Sequence, residues 1–253
     1  MDLTDRTILI TGASSGLGRE MALQLSRRRN RLVVTARRVE RLESLAEEVR
    51  ANGSECIVCP ADATDADAVL DVLDAAREEW GDLDVAVLNA GGGRALRMGD
   101  ASIDDVMHLM NTNYATVVHF LVPLVDRMRH RRGVIAYTGS PAGFFGLPKS
   151  GPYSAAKAAG RVLFDTCRIE LAHTPLRFVA LYPGFTRTDG LDADEVPFDA
   201  LIIERDRAAR EMIRAIERER SHWMFPRRIR WLIHLARVLP EPVRRRILGA
   251  AAE

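Results

Sequence analysis

The sequence predicts an α/β fold in which a doubly wound parallel sheet forms a single domain. Short apolar runs rich in β-branched residues alternate with longer stretches of helical character along the 253 residues. The strand-like runs are apolar throughout, which is typical of parallel strands that helices cover on both faces. A glycine-rich turn joins the first predicted strand to the first predicted helix, as in many sheets of this type.

The elements follow one another in a regular order. Strands are predicted at 7–10, 32–35, 56–59, 84–88, 134–138 and 177–181. Helices are predicted at 18–28, 40–52, 66–80, 104–131, 154–172 and 199–220. The acidic segment 188–197 is predicted as a loop beyond the sixth strand. Right-handed crossovers between successive strands then place the helices on both faces of the sheet.

The charge and composition of the chain narrow its class. The 36 basic and 35 acidic residues give a net charge of +1, so we expect no nucleic-acid partner. No apolar leader precedes the first predicted strand, and no run reaches the ~20 apolar residues of a membrane span. We therefore expect a cytoplasmic protein. The three cysteines predict no disulfide framework, and no ligand spacing predicts a metal site.

The turn after the first predicted strand has the features of a phosphate-binding loop. It reads Thr11-Gly12-Ala13-Ser14-Ser15-Gly16-Leu17-Gly18. Glycines allow a tight turn and a close approach to a pyrophosphate, and a helix N-terminus offers free N–H groups. The order of strand, glycines and helix favours a dinucleotide site over an unliganded turn, although the spacing is G-x-x-x-G-x-G rather than G-x-G-x-x-G.

The end of the second predicted strand indicates which dinucleotide binds. An NAD site usually places an acidic residue there, to bind the ribose hydroxyls. This chain has Arg37 and Arg38 instead. Guanidinium groups suit a 2′-phosphate, so the sequence predicts NADP(H), with NAD(H) as the alternative. The same two arginines could otherwise be a solvated pair at the start of a helix.

A tyrosine and a lysine provide candidate proton-transfer chemistry. Tyr153 and Lys157 are four residues apart, so they share one face of a predicted helix. An ammonium group near a phenol lowers the phenol pKa from about 10. Ser140 follows the fifth predicted strand, where open α/β sheets bind ligands. Asn113 lies inside a predicted helix, where an asparagine is unfavourable unless its amide has a partner.

With these motifs the chain resembles the short-chain dehydrogenase/reductase family over roughly residues 3–188. The matching motifs are Thr11 to Gly18, Asp62, Asn89-Ala90-Gly91, Asn113, Ser140, Tyr153 with Lys157, and Pro183-Gly184 with Thr188. Two positions depart from the family pattern. Leu88 replaces the asparagine that often precedes Asn89, which puts one supporting hydrogen bond in doubt. Gly139 stands where a second serine is common.

The resemblance implies a role for each matched residue. Tyr153 would be the general acid in reduction and the base in oxidation, and Lys157 would bind the nicotinamide ribose and lower the pKa of Tyr153. Ser140 would orient the substrate carbonyl, and Asn113 would hold a water of the proton relay. Further cofactor contacts are expected from Gly12, Ser14, Ser15, Gly16, Leu17, Gly18, Arg37, Arg38, Asp62, Ala63, Asn89, Ala90, Gly91, Pro183, Gly184, Thr186 and Thr188.

The chain is predicted to comprise a Rossmann-like NADP-binding catalytic domain at 1–225 and a basic amphipathic extension at 226–253. The extension has seven arginines and two glutamates, a net charge of +5. Basic segments that also contain Trp, Ile and Leu can pack on their own domain or on a second subunit of a homo-oligomer. They can also lie on anionic membrane surfaces, so a weak peripheral contact with the membrane is a further expectation.

The predicted function is an NADP(H)-dependent oxidoreductase acting on a small-molecule carbonyl or secondary alcohol. One alternative is an NAD-linked alcohol dehydrogenase. Arg37 and Arg38, interpreted as 2′-phosphate ligands, favour the NADP(H)-dependent enzyme over this alternative. The other is a non-catalytic dinucleotide-binding sensor of the same fold. The presence of Ser140, Tyr153 and Lys157 together favours an enzyme over a sensor.

Overall fold

A single parallel sheet of seven strands organises the part of the chain that the structure describes. The computed structural model of the protein describes residues 1–93, 95–188 and 202–249, with the backbone alone for residues 248 and 249. The strand order is β3-β2-β1-β4-β5-β6-β7. The strands are β1 (Thr7–Thr11), β2 (Arg31–Ala36), β3 (Glu55–Pro60), β4 (Val85–Leu88), β5 (Gly133–Thr138), β6 (Leu176–Pro183) and β7 (His222–Phe225). The doubly wound sheet and its six predicted strands are confirmed.

Helices connect the strands and extend the chain beyond the sheet. They are α1 (Gly16–Leu25), α2 (Val39–Ala51), α3 (Ala66–Trp80), α4 (Ile103–Met110), α5 (Thr116–Met128), α6 (Gly151–Glu170), α7 (Arg205–Glu217), α8 (Arg227–Val238) and α9 (Glu241–Gly249). A 3-10 helix covers Pro141–Phe144. Among the described residues, no helix combines the length and the apolar character needed to cross a membrane.

Two predicted helices differ from the structure. The helix predicted at 104–131 is divided into α4 and α5 by a π-helical turn over Asn111–Ala115. The helix predicted at 199–220 begins only at Arg205 in the described chain, and residues 199–201 lie outside it. The loop predicted at 188–197 also lies outside the described residues, except for Thr188. The edge strand β7 was not predicted.

Each face of the sheet has its own hydrophobic core. Side chains alternate between the two faces along a strand, so Ile8 and Ile10 lie in one core and Leu9 in the other. The first core contains residues of α1, α2 and α7, such as Met21 and Met212. The second contains residues of α3, α5 and α6: Val69, Leu73, Phe120, Leu124 and Phe164. Both faces are thereby covered, which explains why the strands are apolar throughout.

The strand order determines where a ligand can bind. β1 pairs in parallel with β2 on one side and with β4 on the other, and Ile10 is aligned with both Val34 and Val87. The chain therefore winds in opposite directions from β1, and a crevice opens at the carboxyl ends of β1 and β4. The loops that follow β1, β4, β5 and β6 all reach this edge of the sheet.

The C-terminal segment packs beside the last strand. Ile229 and Ile233 of α8 are buried, and α8 contacts both β7 and the 3-10 helix Pro141–Phe144. α8 begins one residue after the predicted start of the extension at 226. The division into a catalytic domain and an extension stays a prediction.

Candidate functional site

A tight glycine turn joins β1 to α1 at the carboxyl edge of the sheet. Gly12 has φ +66°, a conformation that residues with a side chain rarely adopt. A Cβ atom on Gly18 would lie 2.5 Å from the Gly12 carbonyl oxygen, so a side chain there would open the turn. Ser15 is the N-cap of α1, but its hydroxyl makes no capping hydrogen bond. The first N–H groups of α1 are thus left uncapped by Ser15, as an anion-binding helix N-terminus requires.

Thr11 fastens this turn to the loop after β4. Its Oγ1 accepts hydrogen bonds from the backbone N–H of Asn89 at 2.9 Å and of Ala90 at 2.8 Å. The Asn89 amide in turn donates from Nδ2 to the Thr11 carbonyl oxygen at 3.3 Å. Thr11 belongs to the predicted loop motif, but no role was predicted for its hydroxyl. The hydroxyl at the last position of a buried strand was the available signal.

Arg38 reaches from the end of β2 to the glycine turn. Its Nη2 donates to Ser14 Oγ at 2.9 Å and to Ser15 Oγ at 2.7 Å. Arg37 points elsewhere, and its Nη1 lies 3.8 Å from Asp62 Oδ2. Hydrogen bonds from Thr64 are the main reason that the pKa of Asp62 lies below its usual value, with a smaller effect from Arg37. The two arginines therefore differ, because only Arg38 contacts the turn.

Asn113 clamps the loop that follows β4. Its side chain is fully buried in the π-helical turn. Oδ1 accepts from the Gly92 N–H at 3.1 Å, while Nδ2 donates to the carbonyl oxygens of Gly92 at 2.6 Å and Leu109 at 3.1 Å. These bonds supply the amide partners that an asparagine inside a helix requires. The water-holding role implied by the resemblance stays a prediction.

The start of α6 brings Tyr153 and Lys157 to the same crevice. Lys157 is 4% exposed, and its Nζ donates to the Thr138 carbonyl oxygen at 3.1 Å. The same Nζ lies 5.7 Å from the centroid of the Tyr153 ring. Ser140, just beyond β5, hydrogen-bonds to the Tyr153 hydroxyl through its side chain. The carboxyl end of β5 therefore holds both α6 residues in place, through a carbonyl and a hydroxyl.

The pKa values of this pair reflect burial. Burial raises the pKa of Tyr153 above its usual value, and the hydrogen bond with Ser140 opposes this increase. Burial also lowers the pKa of Lys157, to about 8. Near neutral pH Tyr153 therefore carries its proton and most Lys157 side chains are charged. The expected lowering of the Tyr153 pKa by Lys157 stays a prediction, since burial is the main influence here.

The glycines after β4 allow close contacts between these groups. A Cβ on Gly93 would lie 3.1 Å from Cδ2 of Tyr153. A Cβ on Gly91 would lie 2.8 Å from Asn113 Oδ1 and 3.3 Å from Lys157 Nζ. Gly93 was not among the predicted site residues, although it lies two residues beyond the Asn89-Ala90-Gly91 motif. The absence of side chains at Gly91 and Gly93 leaves the crevice open beside Tyr153 and Lys157.

The segment after β6 forms the far side of the crevice. Thr186 is buried, and its hydroxyl donates to the Gly184 carbonyl oxygen at 3.1 Å. Pro183 ends β6 and aligns with Phe225 of β7. A Cβ on Gly16 would lie 3.6 Å from Cγ2 of Thr188, so Thr188 is adjacent to the glycine turn. Of the predicted residues after β6, the structure thus brings Thr188 to the start of α1.

The remaining predicted residues lie around this edge or beneath it. Asp62 and Ala63 follow β3, and the Ala63 carbonyl oxygen lies 3.1 Å from Nδ1 of His119. Leu17 packs against the core on the α1 side. Leu88, a departure from the family pattern, is buried in the opposite core. Gly139, the other departure, leaves room for Tyr182, because a Cβ there would lie 2.8 Å from the Tyr182 ring.

The residues present fit a nicotinamide dinucleotide. The uncapped start of α1 suits a pyrophosphate, and Arg38 adds positive charge beside it. Ser140, Tyr153 and Lys157 lie at the carboxyl end of β5, on the opposite side of the crevice. The site can therefore bind an extended anionic cofactor at one end and move a proton at the other.

Comparison with known proteins places the chain in context. The family model described as short chain dehydrogenase matches residues 6–195. An uncharacterized oxidoreductase of Myxococcus xanthus is 34% identical over 243 residues, which are 96% of each chain. The 11-beta-hydroxysteroid dehydrogenase-like 2 of Arabidopsis thaliana is 30% identical over 248 residues, covering 96% of this chain and 80% of that protein.

Solved structures share the same architecture. An alcohol dehydrogenase of the archaeon Thermococcus sibiricus, complexed with 5-hydroxy-NADP, superposes with a TM-score of 0.76 at 27% identity, covering 87% of this chain and 95% of that one. A short chain dehydrogenase/reductase of Burkholderia phymatum in complex with NAD gives a TM-score of 0.85 at 24% identity, with 93% and 94% covered. The second likeness establishes the fold alone.

Proposed function

The chain belongs to the short-chain dehydrogenase family of oxidoreductases, and from this premise we propose that it is an NADP(H)-dependent enzyme that interconverts a carbonyl compound and its secondary alcohol. Tyr153 is the proposed proton donor in reduction and acceptor in oxidation. Ser140, Lys157 and Asn113 are proposed as its partners. The cofactor-binding residues given in the sequence analysis are proposed to bind NADP(H).

One observation carries the proposal: the buried Lys157 places its Nζ 5.7 Å from the centroid of the Tyr153 ring, at the end of β5 where Ser140 follows the strand. A buried ammonium group is costly unless it is paired or hydrogen-bonded, and the depressed pKa of Lys157 reflects that cost. A protein that used this surface only for packing would gain more from an apolar residue at position 157. The retained charge supports a chemical role beside the phenol.

Three residues of the chain have separate roles in the proposed reaction. When bound, the nicotinamide supplies or accepts the hydride. In reduction, Ser140 Oγ donates to the substrate carbonyl oxygen and Tyr153 Oη delivers the proton to the same oxygen. The raised pKa of Tyr153 keeps that proton in place near neutral pH. In oxidation Tyr153 must release its proton, and the positive charge of Lys157 favours the phenolate that results.

Arg38 supports NADP(H) rather than NAD(H). Its guanidinium already lies against Ser14 and Ser15 at the start of α1, so a 2′-phosphate could replace those hydroxyls as a stronger, charged acceptor. No acidic residue stands at the end of β2, where an NAD site would need one. Structural relatives carry either dinucleotide, since the Thermococcus sibiricus enzyme is complexed with 5-hydroxy-NADP and the Burkholderia phymatum protein with NAD.

Steady-state assays with NADPH and NADH over a panel of aldehydes, ketones and secondary alcohols test the proposal. We expect turnover of at least one compound, with NADPH preferred. Turnover that depends on NADH would favour the NAD-linked dehydrogenase instead. Tight binding of NADPH without turnover of any compound would favour the dinucleotide-binding sensor. Absence of binding to either dinucleotide would contradict the proposal as a whole.

A further inference from the structure

An arginine-lined groove has none of the candidate catalytic or cofactor-binding residues in its lining. It has a volume of about 620 Å³ and runs between α7, β7 and the start of α8. Seven arginines line it, and the described residues contribute one carboxylate, that of Glu211. Glu211 is itself engaged, because it lies 3.8 Å from Arg214 Nη1 and accepts from Trp223 Nε1 at 3.3 Å. The groove lining is therefore strongly positive, in a chain whose net charge is +1.

An exposed apolar row continues from this groove along α8. Trp231 is 70% exposed, Leu235 55% and Val238 78%. The helix also buries Ile229 and Ile233 on its other side. It therefore has apolar residues both on the side that packs on the protein and on the side that faces solvent. At 100° per residue, the three exposed residues lie within an arc of about 60° that Arg227 adjoins. Large apolar side chains grouped in this way are characteristic of a surface that binds a partner.

The groove and the apolar row form one continuous surface. Arg227, Arg228 and Arg230 at the start of α8 line the groove. Arg230 also lines a second, shallow pocket together with Trp231 and His234, at the beginning of the apolar row. The next helix repeats the pattern, with three consecutive arginines, Arg244 to Arg246, beside the exposed Val243 and Ile247. We call this combined surface, formed by the groove and the outer sides of α8 and α9, the basic apolar face.

We propose that the basic apolar face docks on a membrane surface that contains anionic phospholipid. The arginines match the phosphate groups of the lipid headgroups, and the exposed row enters the interfacial layer. The 12 residues of α8 span about 18 Å, a length suited to lying in the plane of the interface. A second copy of the chain fits less well, because a twofold contact through this face would bring the same arginines together.

The inner side of α8, opposite the exposed apolar row, packs against segments that border the candidate catalytic crevice. A Cβ on Gly184 would lie 3.0 Å from Cγ1 of Ile229, at the start of α8. Near the other end, the Arg237 guanidinium lies 5.6 Å from the centroid of the Phe144 ring, four residues beyond Ser140. A docked α8 would thus hold the segments after β5 and β6 close to the lipid surface.

Vesicle flotation of the full chain tests the proposal. The probes are vesicles of phosphatidylcholine alone and of phosphatidylcholine with about 30 mol% phosphatidylglycerol. We expect a partition coefficient at least ~10-fold higher for the anionic vesicles, falling as salt rises from about 0.1 M to about 1 M. Equal partitioning onto both vesicle types, or binding to neither, would overturn the proposal.

Paired variants distinguish docking through the basic apolar face from non-specific hydrophobic adsorption and from an effect of net charge. Leu235→Glu with Val238→Glu should abolish flotation, whereas the control Ile103→Glu with Ile169→Glu, at equally exposed positions outside the face, should retain it. Arg227→Ala, Arg228→Ala and Arg230→Ala together should lower the partition coefficient at least ~10-fold. Removing the exposed Arg27, Arg29 and Arg77 in the same way should change it little.

Two further outcomes would contradict the lipid assignment. If light scattering shows a dimer that Leu235→Glu with Val238→Glu converts to a monomer, the face is an interface between copies. If glycerol phosphate in solution abolishes flotation by competition at concentrations near those of the lipid, the groove is a site for a free phosphate compound. A circular dichroism spectrum close to that of the wild type shows for each variant that the result does not come from a folding defect.

Discussion

Arg38 donates from Nη2 to Ser14 Oγ at 2.9 Å, which joins the end of β2 to the turn that begins α1. This link fixes a positive charge beside the glycine turn, where we propose that the 2′-phosphate of NADP(H) binds. The preference for one cofactor is therefore expected to depend on one side chain more than on the overall charge of the region.

Cofactor preference is the first prediction. Arg38→Ala removes the guanidinium from the turn, so the affinity for NADPH should fall at least ~10-fold, about 1.4 kcal/mol, while that for NADH stays nearly constant. Arg37→Asp should also narrow the preference, because it places a carboxylate beside the expected phosphate. Fluorescence titration with both dinucleotides measures the ratio. An unchanged ratio in Arg38→Ala, matching the control Arg27→Ala, would contradict the NADP assignment.

The glycine turn gives the second prediction. A Cβ at position 18 would lie 2.5 Å from the Gly12 carbonyl oxygen and 2.7 Å from Asn89 Nδ2, so Gly18→Ala must push the turn and the β4 loop apart. The affinity for NADPH should fall at least ~10-fold. Gly99→Ala is the control, since a Cβ there has no atom within 4 Å. Isothermal titration calorimetry measures the affinity of both variants for NADPH. Equal affinities would contradict the assignment of the turn as the phosphate site.

The fold was largely predictable because its main signals are local. Strands such as β1 and β2 are buried on both faces, which favours apolar residues at most of their positions. β7 was missed because it is a four-residue edge strand that begins with the exposed His222. Its pairing with β6 comes from the tertiary structure and leaves little trace in the sequence. The π-helical turn at Asn113 was missed for the same reason, since the backbone bonds of Gly92 that engage Asn113 are distant in sequence.

The candidate site was predictable in its parts but not in its connections. The glycine turn and the spacing of Tyr153 and Lys157 could be read directly. The sequence could not indicate that Lys157 donates to Thr138, that Thr11 holds the loop after β4, or that Arg38 rather than Arg37 contacts the turn. Each of these contacts joins different strands or loops, and it depends on the sheet register.

The third prediction follows from the burial of Lys157. Its pKa falls from 10.5 to about 8 on folding, so below pH 8 the folded protein must bury a charge. Lys157→Met should therefore raise the free energy of unfolding at pH 7, by on the order of 1–3 kcal/mol, while it lowers turnover.

The pH dependence of this difference checks its cause. Between about pH 8 and 10.5 the unfolded wild type binds the extra proton, so the stability of the wild type rises with pH relative to the variant. The difference in the free energy of unfolding between Lys157→Met and the wild type should therefore decrease across that range, as measured by urea unfolding. A gap that is constant with pH, or a variant less stable than the wild type at pH 7, would show that burial of the charge is not the cause.

The turnover of Tyr153→Phe tests the central claim most directly. The variant keeps the ring that packs against Gly93 but removes the hydroxyl that Ser140 holds. With a substrate found by screening, kcat should fall at least ~10²-fold, since the proposed proton donor is lost, while the Kd for NADPH stays close to that of the wild type. Tyr182→Phe, which removes a hydroxyl 3.4 Å from His222 Nδ1, should retain normal turnover. Near-normal kcat in Tyr153→Phe would contradict the assignment of Tyr153 as the proton donor.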